Sequence, residues 1–124
     1  MTYPVLYGRV LAQLRQDLDL SQAEAARTMG LSTSTVAKIE VGAIVVAVHH
    51  LYAYADMLNH YSAQRLGPRA HRRSAADLML LVERVSQELG KFEYQLLWAL
   101  PEGDNEVDYR TLDPLIRSFL GGVK

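Results

Sequence analysis

Residues 20–40, LSQAEAARTMGLSTSTVAKIE, constrain this chain more than any other stretch. Their capping residues divide them into two short helices joined by a tight turn. Ser21 has the side chain of a helix N-cap, and Glu24 three residues later completes a capping box. Gly30 supplies the left-handed position that stops the first of these helices. Ser32 caps the second, in which Val36 and Ile39 form an apolar edge. The opposite edge carries Thr33, Ser34, Thr35 and Lys38. Short hydroxyls and one cation suit close approach to a nucleic-acid groove and offer nothing for acid–base chemistry.

The remaining chain reads as helix nearly throughout. A first helix is predicted over about Leu6 to Asp17, with Val10, Leu11 and Leu14 inward and Pro4 before it, where a proline does no damage. A fourth is predicted over about Val46 to Leu58, since Val48, Leu51, Tyr54, Ala55 and Leu58 recur at helical spacing. The pattern breaks over Asn59 to Arg73, where Gly67-Pro68 punctuates a run holding Arg65, Arg69, Arg72 and Arg73. Another helix begins at Ser74, with Asp77 at the capping-box position. A last short one is expected from Asp113-Pro114 to Gly121-Gly122. The expected fold class is all-α: a helix-turn-helix bundle of four to five helices at 1–62, a basic linker at 63–73 and a helical extension at 74–124.

Charge supports this division. Met1 to Arg73 holds 8 Lys and Arg against 5 Asp and Glu, a net of +3, whereas Ser74 to Lys124 holds 5 against 9, a net of −4; together they give the chain's −1. Phosphate affinity depends on the local positive face, not on the total. The chain has no cysteine, which excludes disulfides and thiolate metal sites and fits a cytoplasmic protein. No apolar run approaches the roughly 20 residues of a membrane span, and the N-terminus lacks the order of a signal peptide.

From Tyr7 to Leu58 the chain resembles the XRE family, the helix-turn-helix proteins typified by phage lambda Cro and repressor. The resemblance rests on Gly8, Leu11, Leu14 and Arg15, then Leu20-Ser21-Gln22, Ala26 and Gly30-Leu31-Ser32, then Val36, Ile39-Glu40 and Gly42. Val48, Leu51, Tyr54, Ala55 and Leu58 continue it without a gap. It implies that the helix Ser32–Glu40 enters the major groove of an operator in double-stranded DNA while the preceding helix braces the phosphates. Gln22 would then hold a phosphate, Thr33 and Ser34 would face base edges, Thr35 a base or phosphate, and Lys38 the backbone. Ser32 joins that surface at the helix start, where capping alone also accounts for it. Arg15 and Glu40 occupy positions that pair in the family.

Three positions depart from the family pattern. Asp19 replaces the usual glycine before Leu-Ser-Gln, so that turn is expected to close without positive-φ freedom. The recognition helix has no Arg, Gln or Asn for a bidentate base contact, which leaves single hydrogen bonds, thymine methyl contacts and DNA shape. The loop after Gly42 reads AIVVAV where the family has basic residues and Asn-Pro-Ser. Ile44, Val45 and Val46 are thereby left as a subunit contact or as a seat for the distal helices.

The stripe Leu78, Leu81, Val82, Val85 and Leu89, with Met79, Leu80, Leu96, Leu97 and Trp98, holds more apolar surface than one thin helical layer is expected to hide. It is therefore expected to make a homodimer. The histidines His49, His50, His60 and His71 do not complete a tetrahedral ligand set, and Phe92, Tyr94 and Trp98 suit packing better than a ligand pocket. No cofactor, metal or catalytic group is expected. The sequence thus describes a dimeric DNA-binding repressor and not an enzyme. Its alternatives are an antitoxin that represses its own operon and covers a toxin, and a helix-turn-helix fold used only for protein contacts.

Overall fold

The computed structural model describes residues 3–69, 72–90, 113–118 and 120. The fold is all-α, with no strand among the described residues. Helix α1 spans Tyr3–Asp17, α2 Gln22–Met29, α3 Thr33–Glu40, α4 Val48–Leu66 and α5 Ala75–Gly90, with a 3-10 turn at Gly67–Arg69 between the last two. A further helical stretch occupies 113–118. Pro4 lies in the first turn of α1, where its missing N–H has no intrahelical partner to lose.

The caps fall where the sequence put them. Ser21 Oγ accepts from the Glu24 N–H at 3.1 Å, and the Ser21 N–H donates back to the Glu24 carboxylate at 3.3 Å. Gly30 closes α2 at φ 71°, donating to the Ala26 and Arg27 carbonyls. Ser74 and Asp77 make the same reciprocal pair at the start of α5, at 3.1 and 2.8 Å. Helix α4 continues through the expected break, ending at Leu66 and not near Leu58. Asn59 explains how: its amide grips the Arg73 backbone at both N–H and C=O, 2.7 Å each. The connection is thus folded back onto a helix that need not stop.

Asp19 corrects one expectation. It adopts φ 56°, so the α1–α2 turn does use the left-handed region, which Asp enters more readily than most residues. Its N–H donates to the Gln16 carbonyl at 2.9 Å, and its carboxylate meets Arg65 at 3.0 Å.

The stripe of α5 is a second correction. Leu78, Leu81, Val82, Val85 and Leu89 are buried inside the single chain, in one cluster with Leu6, Val10 and Leu14 of α1, Leu51, Tyr54 and Leu58 of α4, and Ile116 and Leu120. Within the single chain none of these five α5 residues is more than 9% exposed. Ile116 and Leu120, from the far end of the chain, lie in the same cluster and help to cover them, while Met79 and Leu80 of the same helix stay exposed. Trp98, Leu96 and Leu97 lie outside the described residues. Ile44 and Val46 are half-buried against the same core, while Val45 is 74% exposed.

Candidate nucleic-acid interface

Helix α3 presents two faces of opposite character. Val36, Ile39 and Glu40 are buried, and Ser32, Thr33, Ser34 and Lys38 are exposed. The hydroxyls of that outer row differ in availability. Ser32 Oγ accepts from the Thr35 N–H at 3.0 Å and sits 2.7 Å from the Thr35 hydroxyl. Ser32 and half-buried Thr35 are therefore engaged with each other in the cap. Thr33, Ser34 and Lys38 are exposed, and among the described residues their side chains take part in none of the hydrogen bonds or ion pairs of this region.

The buried face of α3 is anchored by Glu40, whose carboxylate is fully satisfied. Arg15 Nε donates to both Glu40 oxygens at 3.1 and 2.9 Å, and its terminal nitrogen adds a 2.8 Å contact. Arg15 also donates to the Leu20 carbonyl at 2.6 Å, which ties the α1–α2 turn to the same cluster. Tyr54 of α4 donates to Glu40 Oε2 at 3.0 Å, and the amide of Gln22 donates to Oε1 at 3.1 Å. Burial, and then the Glu40 charge, push the Tyr54 hydroxyl well above its ordinary pKa, so it stays a donor. A buried carboxylate is tolerable when every lone pair is used. Here it joins α1, α2, α3 and α4.

The expected Arg15–Glu40 pair is thus present. Gln22 is at the start of α2, where the sequence put it, with its amide held by Glu40. Sequence reasoning missed two members of this cluster. Tyr54 was legible only as an apolar core position, and nothing local marked its hydroxyl. Arg9 was not singled out at all, yet it donates to the Glu40 carbonyl at 3.2 Å and forms a two-pronged ion pair with Asp113 at 2.8 and 2.6 Å. A partner 104 positions away leaves no signal in spacing.

Gly8 explains how α1 comes close enough for these contacts. A Cβ there would overlap the Ile39 and Glu40 carbonyl oxygens, so the two backbones meet through a residue with no side chain. Among the described residues no group of three or more His, Cys, Asp or Glu is placed to hold an ion; His71 lies outside them. His50 accepts the Ala47 N–H at Nδ1, 3.0 Å away, and so caps α4 with an imidazole.

No described helix is long and apolar enough to cross a membrane. No curated protein and no solved structure matches the chain. The helix-turn-helix family matches it over residues 11–66, from inside α1 to the last residue of α4. With α2 and α3 capped as described and α3 bearing an exposed polar row, residues 11–66 make the N-terminal half of this chain an XRE-family helix-turn-helix DNA-binding domain.

Proposed function

We propose that the chain is a sequence-specific transcriptional repressor that binds its operator as a homodimer, with α3 in the major groove. The observation that carries this reading is the two-faced α3. Thr33, Ser34 and Lys38 project from a helix whose other side is fixed through Glu40 to three neighbours. Rigid support matters because single hydrogen bonds from Thr and Ser discriminate bases only when the helix holds one register. Gln22, at the first position of α2, is close to the orphan N–H groups that attract a phosphate. Ser32 and Thr35 serve this surface chiefly by setting where α3 begins.

The second subunit is assigned to the face formed by Val45, Val48 and Tyr52, which are 74%, 62% and 60% exposed. Val48 and Tyr52 are one helical turn apart on α4, and Val45 lies in the loop immediately before it. A two-fold axis through this face would give the two α3 helices half-sites about one DNA turn, roughly 34 Å, apart.

The test is selection of bound fragments from random duplex DNA at stated salt, followed by sedimentation of the complex. Recovery of a two-fold symmetric site occupied by two chains is the expected result. Absence of sequence enrichment would instead favour a helix-turn-helix used for protein contacts.

A further inference from the structure

The C-terminal end of α3 is held by a residue outside the segment that matches the family. Glu40 is the last residue of α3, and its carbonyl is one of the four that a helix leaves without an intrahelical partner. Arg9 Nη1 donates to that carbonyl at 3.2 Å, while Nε and Nη2 of the same guanidinium grip the two oxygens of Asp113 at 2.8 and 2.6 Å. The planar fork cannot turn toward one partner without misaligning the other. Both members of the ion pair are largely shielded, with side chains 12% and 21% exposed, so solvent screens the contact only weakly.

Asp113 is itself fixed. The helical stretch at 113–118 buries Ile116 in the core, Leu120 follows it there, and Arg117 Nε donates to Gln13 Oε1 of α1 at 3.3 Å. The docked C-terminal stretch therefore fixes the orientation of a guanidinium that caps the DNA-reading helix.

We infer that Arg9 is a positioning residue that relays docking of the 113–118 helix to the C-terminal end of α3, so that DNA affinity depends on a segment far outside the helix-turn-helix. This rests on the DNA-binding reading above. The mechanism is electrostatic and geometric. A cation at a helix C-terminus opposes the partial negative charge there, and Asp113 fixes the direction from which it does so.

The test separates anchoring from relay. In the charge swap Arg9→Glu with Asp113→Arg, the ion pair is regained with its polarity reversed. A glutamate at position 9 cannot donate to the Glu40 carbonyl, so that contact stays lost. The swap is expected to melt within a few degrees of the parent. It should bind a DNA fragment selected by the parent about tenfold more weakly, the scale of one lost hydrogen bond to a charged group. In the unliganded protein, the Val41, Gly42 and Ala43 amides, which close the end of α3, should exchange faster.

A swap that binds and exchanges like the parent would overturn the inference and leave Arg9 as an anchor for the C-terminal helix alone. Should the swap fail to fold, Asp113→Asn decides: slower α3 exchange or unchanged affinity overturns the relay, and faster exchange with weaker binding supports it. If the parent itself binds no duplex DNA, the functional reading fails, while the amide exchange still reports on the relay.

Discussion

Tyr54 and Glu40 meet at 3.0 Å in the protein interior, a phenol hydroxyl on α4 donating to a carboxylate at the end of α3. This contact is what makes the Arg15–Glu40 pair more than a clasp between two helices. It brings α4 under α3 and uses a carboxylate lone pair that would otherwise be buried unsatisfied. Removing Glu40 strands the Arg15 charge, which has a side chain only 9% exposed, and leaves the donors of Gln22 and Tyr54 without their acceptor. Glu40→Ala should lower stability by about 3–5 kcal/mol, the range for breaking a buried pair from one side. Glu24→Ala, at the exposed capping box, should lose far less. Urea denaturation of both variants checks this, and equal losses would show that the buried network contributes nothing special.

A milder substitution isolates the hydroxyl. Tyr54→Phe keeps the ring in the core and deletes one donor to a charged group, an effect of about 1.5–3 kcal/mol. An unchanged denaturation midpoint would mean that Glu40 finds a replacement donor.

Asp19 offers the opposite direction. Its φ of 56° costs a residue with a Cβ about 1–2 kcal/mol, while its ion pair with Arg65 is on the surface and contributes little. Asp19→Gly removes the strain but adds about 0.5–1 kcal/mol of chain entropy to lose on folding. The variant should be as stable as the parent or slightly more so. Asp19→Val, β-branched in the left-handed region, should be clearly destabilised. If the glycine variant were the weaker of the two, the turn would owe its geometry to the carboxylate and not to the backbone.

These residues also show what a sequence discloses. Ser21, Glu24, Gly30 and Ser32 fix α2 and α3 because capping is local chemistry between positions three or four apart, and such spacing survives in one dimension. The Arg15–Glu40 pair was reachable only through resemblance to the XRE family. The left-handed Asp19 was not reachable, since only glycine advertises positive φ plainly. Nor was the fate of the α5 stripe: Leu78 and Val85 look like spare apolar area until Ile116 and Leu120 arrive from the far end of the chain. Arg9 is the extreme case, a basic residue with partners 31 and 104 positions away. The exposed row of α3 was legible because a helix buried on one edge must expose the other.

Histidine 50 sets a pH dependence. Burial, and then the neighbouring His49, lower its pKa from the ordinary 6.5, and its Nδ1 accepts the Ala47 N–H only when unprotonated. The unfolded chain therefore takes up a proton at higher pH than the folded one. Stability from this group is complete above about 6.5 and falls as the pH drops from there through the lowered folded value. Denaturation midpoints should decline from pH 7.5 to 5.5, and His50→Gln should flatten that decline. An identical slope in the variant would assign the titration to another group.

On the exposed row of α3, Thr33→Ala combined with Ser34→Ala should weaken binding to a selected DNA fragment by about 1–3 kcal/mol at particular base pairs. Lys38→Ala should weaken it evenly across sequences and reduce the salt slope by roughly one. Anisotropy titrations at several salt concentrations distinguish the two patterns. Parental affinity in a folded double variant would move the reading surface away from α3.

The assembly prediction turns on Val48, 62% exposed in the first turn of α4. Val48→Asp places a carboxylate at a helix N-terminus, where the helix favours it. The fold should therefore be retained or slightly strengthened. If Val45, Val48 and Tyr52 face a second copy, the same carboxylate is brought near its own symmetry mate across the axis and is desolvated there, which is strongly unfavourable. Sedimentation should then show a monomer with an unchanged melting curve at low protein concentration, and DNA affinity should drop because two half-sites are no longer joined. By contrast, α5 has its stripe buried within the chain and leaves mainly Met79 and Leu80 exposed. Leu80→Asp should consequently leave the association state unchanged. A dimer that survives Val48→Asp and dissociates with Leu80→Asp would transfer the interface to α5.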